Sequence, residues 1–187
     1  AASRAPSKRP AWDGKLREDG AYLVTGGLGG LGLVVSRWLV ARGARHLVLL
    51  GRSEPREAAR QALAELEAQG AEVVLARCDV SLREPLERTL ADLPRSLPPL
   101  RGVVHAAGVL DDGALLQQAW ELIAKVWGAK AQGAWNLHQL TRGAPLDFFV
   151  MFSSVASVLG SAAQANYAAA NAFLDGLAHE RRSQGLP

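Results

Sequence analysis

The chain has 187 residues, 49% of them hydrophobic, with 21 basic against 18 acidic side chains and a net charge of +3. A chain of this length favours one globular domain, which buries roughly 70% of its unfolded surface and needs no staples. One cysteine, Cys78, excludes an internal disulfide and a multi-thiolate metal site, and reads as a small hydrophobe at the end of a strand. His46, His105, His138 and His179 show neither HExxH nor paired spacing, which argues against zinc. Lysine occurs only at positions 8, 15, 125 and 130, and the arginines are scattered without an aromatic–basic platform, so nucleic acid is not the expected partner. Arg181 and Arg182 read as complementing a helix C-terminus. No apolar run is long enough to span a bilayer, and the N-terminus lacks a signal-peptide core, so no membrane partner is expected and a cytosolic setting is.

Residues 1–20, with Pro6, Pro10 and Gly14, read as a linker, and the domain proper as 21–187. Apolar β-rich runs at 22–25, 46–50, 72–77, 102–106 and 148–153 then alternate with helix-length segments. The latter fall at 31–42, 55–69, 82–93, from about 115 to 141, and 162–183. Such alternation predicts right-handed βαβ crossovers: an α/β, Rossmann-like doubly wound parallel sheet with helices on both faces, in three α/β/α layers. Five strands are fewer than the six of a complete dinucleotide sheet, and Gly185-Leu186-Pro187 stands where a loop to another strand would begin. Truncation at both ends is therefore expected.

Directly after the first strand comes Thr25-Gly26-Gly27-Leu28-Gly29-Gly30-Leu31-Gly32, with G-x-G-x-x-G at Gly27, Gly29 and Gly32. Glycines suit a tight turn where backbone must approach a pyrophosphate, and the following helix N-terminus adds unpaired N–H groups and a favourable dipole. A glycine-rich turn alone can be merely a turn; the strand–turn–helix setting makes it a cofactor site. An NAD site would place a carboxylate at the end of the second strand, but here stand Gly51-Arg52-Ser53. A guanidinium and a hydroxyl suit a 2′-phosphate, so NADPH is the expected cofactor, the alternative for Arg52 being a solvated side chain. Asp79 and Val80 follow the third strand, where Asp79 either accepts a hydrogen bond from adenine or caps the helix starting near Leu82. His105-Ala106-Ala107-Gly108 closes the fourth strand with small residues against which a cofactor ribose can lie.

Ser154 ends the run of the fifth strand, while Tyr167 and Asn171, four apart, share one helix face. A hydroxyl at a strand tip facing a phenol is a proton-donating pair for a carbonyl oxygen. Lys130 has a stem long enough to bring its ammonium beside Tyr167, where positive charge favours the phenolate and makes the phenol a better acid toward an alkoxide. Ser154 would hold the carbonyl oxygen, and Asn171 would support Lys130 and a relay water. A solvated helix lysine and a core tyrosine are the bland alternatives.

Together the Thr25–Gly32 turn, His105–Gly108, Ser154 and Tyr167 resemble the short-chain dehydrogenase/reductase superfamily. Most free-standing members carry Tyr-x-x-x-Lys, whereas this chain has Tyr167-Ala168-Ala169-Ala170-Asn171, with lysine instead at Lys130 in Gly128-Ala129-Lys130-Ala131-Gln132-Gly133. That exchange is similar to the ketoreductase domains of modular type I polyketide synthases and animal-type fatty acid synthases, over residues 20–187. The resemblance implies NADPH-dependent reduction of a β-ketoacyl thioester carried on the phosphopantetheine of an acyl carrier protein, in polyketide biosynthesis beside neighbouring synthase domains. It makes Lys130, Ser154, Tyr167 and Asn171 catalytic, with Lys130 and Tyr167 also at the cofactor, and it implies later strands and a lid. Leu110-Asp111-Asp112 resembles the fingerprint of B-type domains, and Gln164 stands where A-type domains carry tryptophan, so a D-configured hydroxyl is expected. The bland alternative there is an acidic turn capping a helix near Leu115. A non-catalytic scaffolding domain and a free-standing short-chain reductase are the competing readings. The complete catalytic set disfavours the first, and the Tyr-x-x-x-Asn exchange disfavours the second.

Overall fold

A computed structural model describes residues 14–187; most of the expected linker, residues 1–13, lies outside the described residues. Five parallel strands, β1 (Ala21–Thr25), β2 (His46–Gly51), β3 (Glu72–Arg77), β4 (Leu100–His105) and β5 (Phe148–Met151), form one sheet in the order β3-β2-β1-β4-β5. Every residue of β1 is buried because helices cover both faces of the central strand. Alternation along each strand divides the core in two. Tyr22, Val24, Leu47, Leu49 and Val104 face α1 (Gly30–Ala41) and α2 (Glu57–Ala68). Leu23, Val48, Leu50 and Val103 face α3 (Arg83–Ala91) and α5 (Gly133–Thr141), meeting Leu86 and Leu137.

The order reverses between β1 and β4, which opens a crevice at the carboxyl ends of these strands. The groups singled out around residues 25–32, Arg52, Asp79, residues 105–112 and Ser154 lie at or just after strand ends and rim that edge of the sheet, whereas Lys130, Tyr167 and Asn171 are brought to it by helical segments.

The long helix expected from about 115 to 141 is four pieces. A short 3₁₀ turn (Leu115–Gln117) precedes α4 (Trp120–Trp127), and a π-helical turn (Gly128–Gln132) joins α4 to α5. Apolar periodicity continues through the π turn, so it conceals the extra residue accommodated there. Gly133 marks the spot: a Cβ would stand 2.6 Å from Val80 Cγ2 and 3.1 Å from His105 Cε1, so only glycine lets the helix come this close to the sheet. Two further helices complete the chain, α6 (Ala156–Leu159) and α7 (Ala165–Ser183).

Arg181 is not the solvated helix-end charge its sequence position suggests. It is 2% exposed, lies 3.8 Å from the centroid of the Phe149 ring, and donates to His138 Nδ1 and the Pro187 carbonyl. Beyond β1 on the α1 side, Leu31, Val34, Trp38, Val104, Phe148, Val150 and Phe152 line an open apolar groove along β5.

Candidate active site

The turn after β1 is built around close backbone approach. Gly26 has φ +64, and a Cβ there would sit 2.8 Å from the Ala106 carbonyl oxygen. At Gly32 a Cβ would lie 2.2 Å from the Gly26 carbonyl oxygen. The α1 N-terminus has no side-chain cap and no acidic residue in its first turn, and Gly29 and Gly30 are exposed. Uncapped N–H groups with no competing carboxylate fit a phosphate-bearing cofactor.

Gly26, Gly51, Arg52, Asp79, Val80, Ala107 and Gly108 line one cleft. Four sequence segments thus meet as expected, while Ser53 is exposed outside that lining and Leu31 faces the apolar groove instead. The Arg52 guanidinium lies 3.9 Å from Asp79 Oδ2, an exposed pairing of little energetic weight that leaves it available to an anion. Asp79 Oδ1 accepts from the backbone N–H and hydroxyl of Ser81 at 2.9 and 2.7 Å. It therefore shapes the turn ahead of α3, whose N-cap is Leu82, rather than capping the helix itself.

Lys130 is 6% exposed, in the π turn. Its Nζ donates to the Phe152 carbonyl at 2.9 Å and lies 5.1 Å from the centroid of the Tyr167 ring. Burial lowers its pKa below the ordinary lysine value. Among the described residues, no carboxylate pairs with it. Its charge is therefore directed at the Phe152 carbonyl and the Tyr167 ring.

Asn171 is fully buried; its Nδ2 donates to the Tyr167 carbonyl at 2.8 Å, and its Oδ1 has no partner. A buried acceptor left open beside this cluster is the kind of group that a water satisfies. Ser154 Oγ accepts from Ala156 N at 3.2 Å, and neither its own proton nor the Tyr167 hydroxyl has a partner among the described residues. Both hydroxyls therefore keep a proton to donate, and the ring that carries one of them lies beside the buried ammonium.

The segment that resembles a stereochemical fingerprint is tied to the start of α7. Gln164 Nε2 donates to Asp112 Oδ2 at 3.0 Å, Asn166 Nδ2 to the Asp111 carbonyl at 2.8 Å, and Gly113 N to the Ala163 carbonyl at 2.8 Å. Ala163 holds φ +59, a left-handed conformation unusual for a residue with a Cβ. Lys125 pairs with Asp111 at 2.6 Å, and Ala114, ahead of the 3₁₀ turn, receives no side-chain cap. The acidic pair therefore anchors a loop against α7 rather than capping a helix.

Two anchoring residues were not singled out from sequence. Asn166 bridges the loop and the helix, accepting from Tyr167 N at 2.7 Å with Oδ1. Asn136, 1% exposed, donates to the Val80 and Ser81 carbonyls at 2.9 and 3.0 Å and so holds α5 against the end of β3. The only signal for either was an amide within an otherwise apolar run.

Burial pushes the pKa of His105 down to about 4, so its ring is neutral at ordinary pH. The unfolded ring would titrate near 6.5. The unfolded state therefore binds more protons between these values, and stability falls as pH drops from about 6.5 to about 4. At one pKa unit per 1.36 kcal/mol, the loss is on the order of 3 kcal/mol. Urea midpoints at pH 7 and pH 4.5 are expected to differ by correspondingly less in His105→Gln than in the wild type.

The family model described as KR domain matches residues 20–187. The chain belongs to the KR domain family. The domain is thus a ketoreductase, an oxidoreductase with the nucleotide-binding fold of the short-chain dehydrogenases. It is 44% identical over 171 residues to phthioceranic/hydroxyphthioceranic acid synthase of Mycobacterium tuberculosis, covering 91% of this chain and 8% of that protein. It is 43% identical over 171 residues to a mycocerosic acid synthase-like polyketide synthase of the same organism, covering 91% of this chain and 8% of that protein. A solved structure of A-type ketoreductases from a modular polyketide synthase superposes with a TM-score of 0.86 at 44% identity, covering 100% of this chain and 39% of that one. The ketoreductase chain therefore spans under a tenth of these curated relatives. No helix among its described residues is long and apolar enough to cross a membrane.

Proposed function

We propose that this ketoreductase reduces a β-ketoacyl thioester, carried on an acyl carrier protein, to the β-hydroxyacyl thioester in polyketide biosynthesis. The observation that carries this reading is the convergence of Lys130, Tyr167 and Asn171 around the end of β5: a buried ammonium 5.1 Å from the tyrosine ring and bonded to the Phe152 carbonyl, with Asn171 bonded to the Tyr167 carbonyl and to Ser153. NADPH, when bound, supplies the hydride. The uncapped α1 N-terminus would hold its pyrophosphate, and Arg52 its 2′-phosphate. Ser154 would donate to the substrate carbonyl oxygen and stabilise the charge that develops there. Tyr167 would deliver its hydroxyl proton to that oxygen as the alkoxide forms, leaving a phenolate beside the Lys130 ammonium. The open Oδ1 of Asn171 would hold a water through which the tyrosine regains a proton.

B-type stereochemistry, giving a D-configured alcohol, is the finer proposal. It rests on this chain's own Leu110-Asp111-Asp112 loop and its bond to Gln164, and not on overall similarity, the A-type structure named above being 44% identical. The edge of β5, unpaired among the described residues, and the apolar groove beside it suit the further strands and lid of the resembled domains, with residues 21–187 as the cofactor-binding part. A cytosolic synthase with neighbouring catalytic domains is the proposed setting.

The test is NADPH oxidation with a β-ketoacyl N-acetylcysteamine thioester by the intact domain that contains this chain, with chiral analysis of the alcohol. Turnover giving the D-alcohol is the expected result. No turnover would overturn the reductase reading, and an L-alcohol would overturn the B-type assignment alone. Arg52→Ala is expected to cut the preference for NADPH over NADH about tenfold or more, equivalent to loss of one charge-assisted contact of about 1.5–3 kcal/mol, as measured by the ratio of kcat/KM values.

A further inference from the structure

We propose that His105 is a positioning residue for Lys130: its imidazole ties the carbonyl of the lysine's own residue to the end of β1 and thereby fixes where the ammonium stands. This rests on the reductase reading above and goes beyond it: of the His105–Gly108 segment expected at the cofactor, Ala107 and Gly108 line the cleft, whereas the His105 side chain is buried away from it.

The hydrogen bonds run in one direction only. His105 Nε2 lies 2.9 Å from the Lys130 carbonyl oxygen, which can only accept, so Nε2 carries the ring proton. A carbonyl has two lone pairs, so the Lys130 carbonyl can take this bond in addition to a helical one. Nδ1 of the neutral ring is then the acceptor, and the Thr25 hydroxyl, 2.7 Å away, donates to it. The Thr25 oxygen in turn accepts from Ala107 N at 3.3 Å. Ala107 N–H, Thr25 O–H and His105 Nε2–H thus form a chain ending on the residue that bears the ammonium. His105 is 1% exposed, so water cannot substitute for either partner.

The π turn explains why such a tether has work to do. A wider turn is less regular than the α-helix around it, and it is here that Lys130 sits. The Lys130 side chain is held from the front by the Phe152 carbonyl, and its backbone from behind by His105. The absence of a side chain at Gly133 leaves the room for the imidazole to reach the turn. The titratable groups facing Lys130 are His105 from β4 and Tyr167 from α7. The low pKa of His105 keeps this arrangement in a single protonation state at working pH.

Two variants of the intact domain separate this tether from simple packing. His105→Asn can still bond Thr25 but is too short to reach the Lys130 carbonyl, whereas His105→Gln places an amide donor near the position of Nε2. His105→Asn is expected to lower kcat about 10–100-fold, as a misplacement of about 1 Å does, with NADPH affinity measured by fluorescence little changed, and His105→Gln to recover most of that loss. In a Lys130→Met background, His105→Asn should have little further effect on kcat, since both changes act through one group. Multiplicative effects in that cycle, or equal activities of the Asn and Gln variants, would overturn the proposal.

A readout independent of turnover is the pH dependence of Lys130 acetylation by acetic anhydride, followed by peptide mass spectrometry. The wild-type lysine is expected to label at a pH below the ordinary lysine range, and His105→Asn to move that pH upward as the ammonium regains water. Thr25→Val, which removes the partner that fixes the ring's tautomer, should move it in the same direction. An unchanged labelling pH in both variants sinks the His105 tether whether or not the thioester is reduced. Absent turnover in a wild type whose labelling responds as described sinks only the substrate reading.

Discussion

Tyr167→Phe is expected to lower kcat for a β-ketoacyl thioester by about 10²–10⁴-fold, the range that a positioned general acid contributes. The substitution removes one oxygen from a side chain with no partner for its hydroxyl among the described residues, so little stability should be lost with it. The ring stays in place to meet Lys130, whose Nζ lies 5.1 Å from its centroid. The Asn171 bond goes to the Tyr167 backbone carbonyl and is untouched. NADPH affinity and the urea midpoint should therefore remain near wild type while turnover collapses. Stopped-flow NADPH oxidation together with a binding titration measures both. Equal rates in the two proteins would remove Tyr167 as the proton donor.

The second large effect is expected at Gly32→Ala, where the loss is structural and falls on the cofactor. An added Cβ would stand 2.2 Å from the Gly26 carbonyl oxygen and 2.7 Å from Gly27 Cα, both of them backbone atoms with no rotamer to escape into. Either α1 shifts away from the turn or the turn deforms, at a cost of about 1–3 kcal/mol. Both outcomes displace the uncapped N–H groups that would meet the pyrophosphate, so NADPH binding should be lost at concentrations that saturate the wild type. Isothermal titration checks the binding and urea denaturation the stability. Gly30→Ala is the control for the stability loss alone, since a Cβ there meets no protein atom within 4 Å.

Much of this was legible before any coordinates. Strand–helix alternation predicted five parallel strands, each found within a few residues of its expected bounds. The glycine turn and the Lys130, Tyr167 and Asn171 constellation were legible because each depends on residue types that few environments tolerate: glycines packed against backbone, and one of only four lysines placed beside a phenol. The break in the helix over 115–141 was not legible, because a π turn changes the register by one residue without changing composition. Nor was the interior burial of Arg181, since a sequence shows a charge but not the Phe149 face and the His138 ring that receive it.

The sequence alone displayed the kind of chemistry in reach: a glycine-rich turn between a strand and a helix, a cation after the second strand where NAD sites hold an acid, and a lysine and phenol that the resemblance to synthase ketoreductases pairs. The first two are properties of local residue types at fixed spacing, and spacing survives in one dimension; the third was implied by the resemblance. Only the tertiary structure decided how those groups are held. Residues 80 positions apart, Thr25 and His105, meet at the ends of adjacent strands, and a ring between them fixes the backbone of Lys130 25 residues further on. The physical reason is that direction matters for a hydrogen bond as much as identity. Which atom donates to which is settled by three-dimensional placement, and no pattern along the chain carries it.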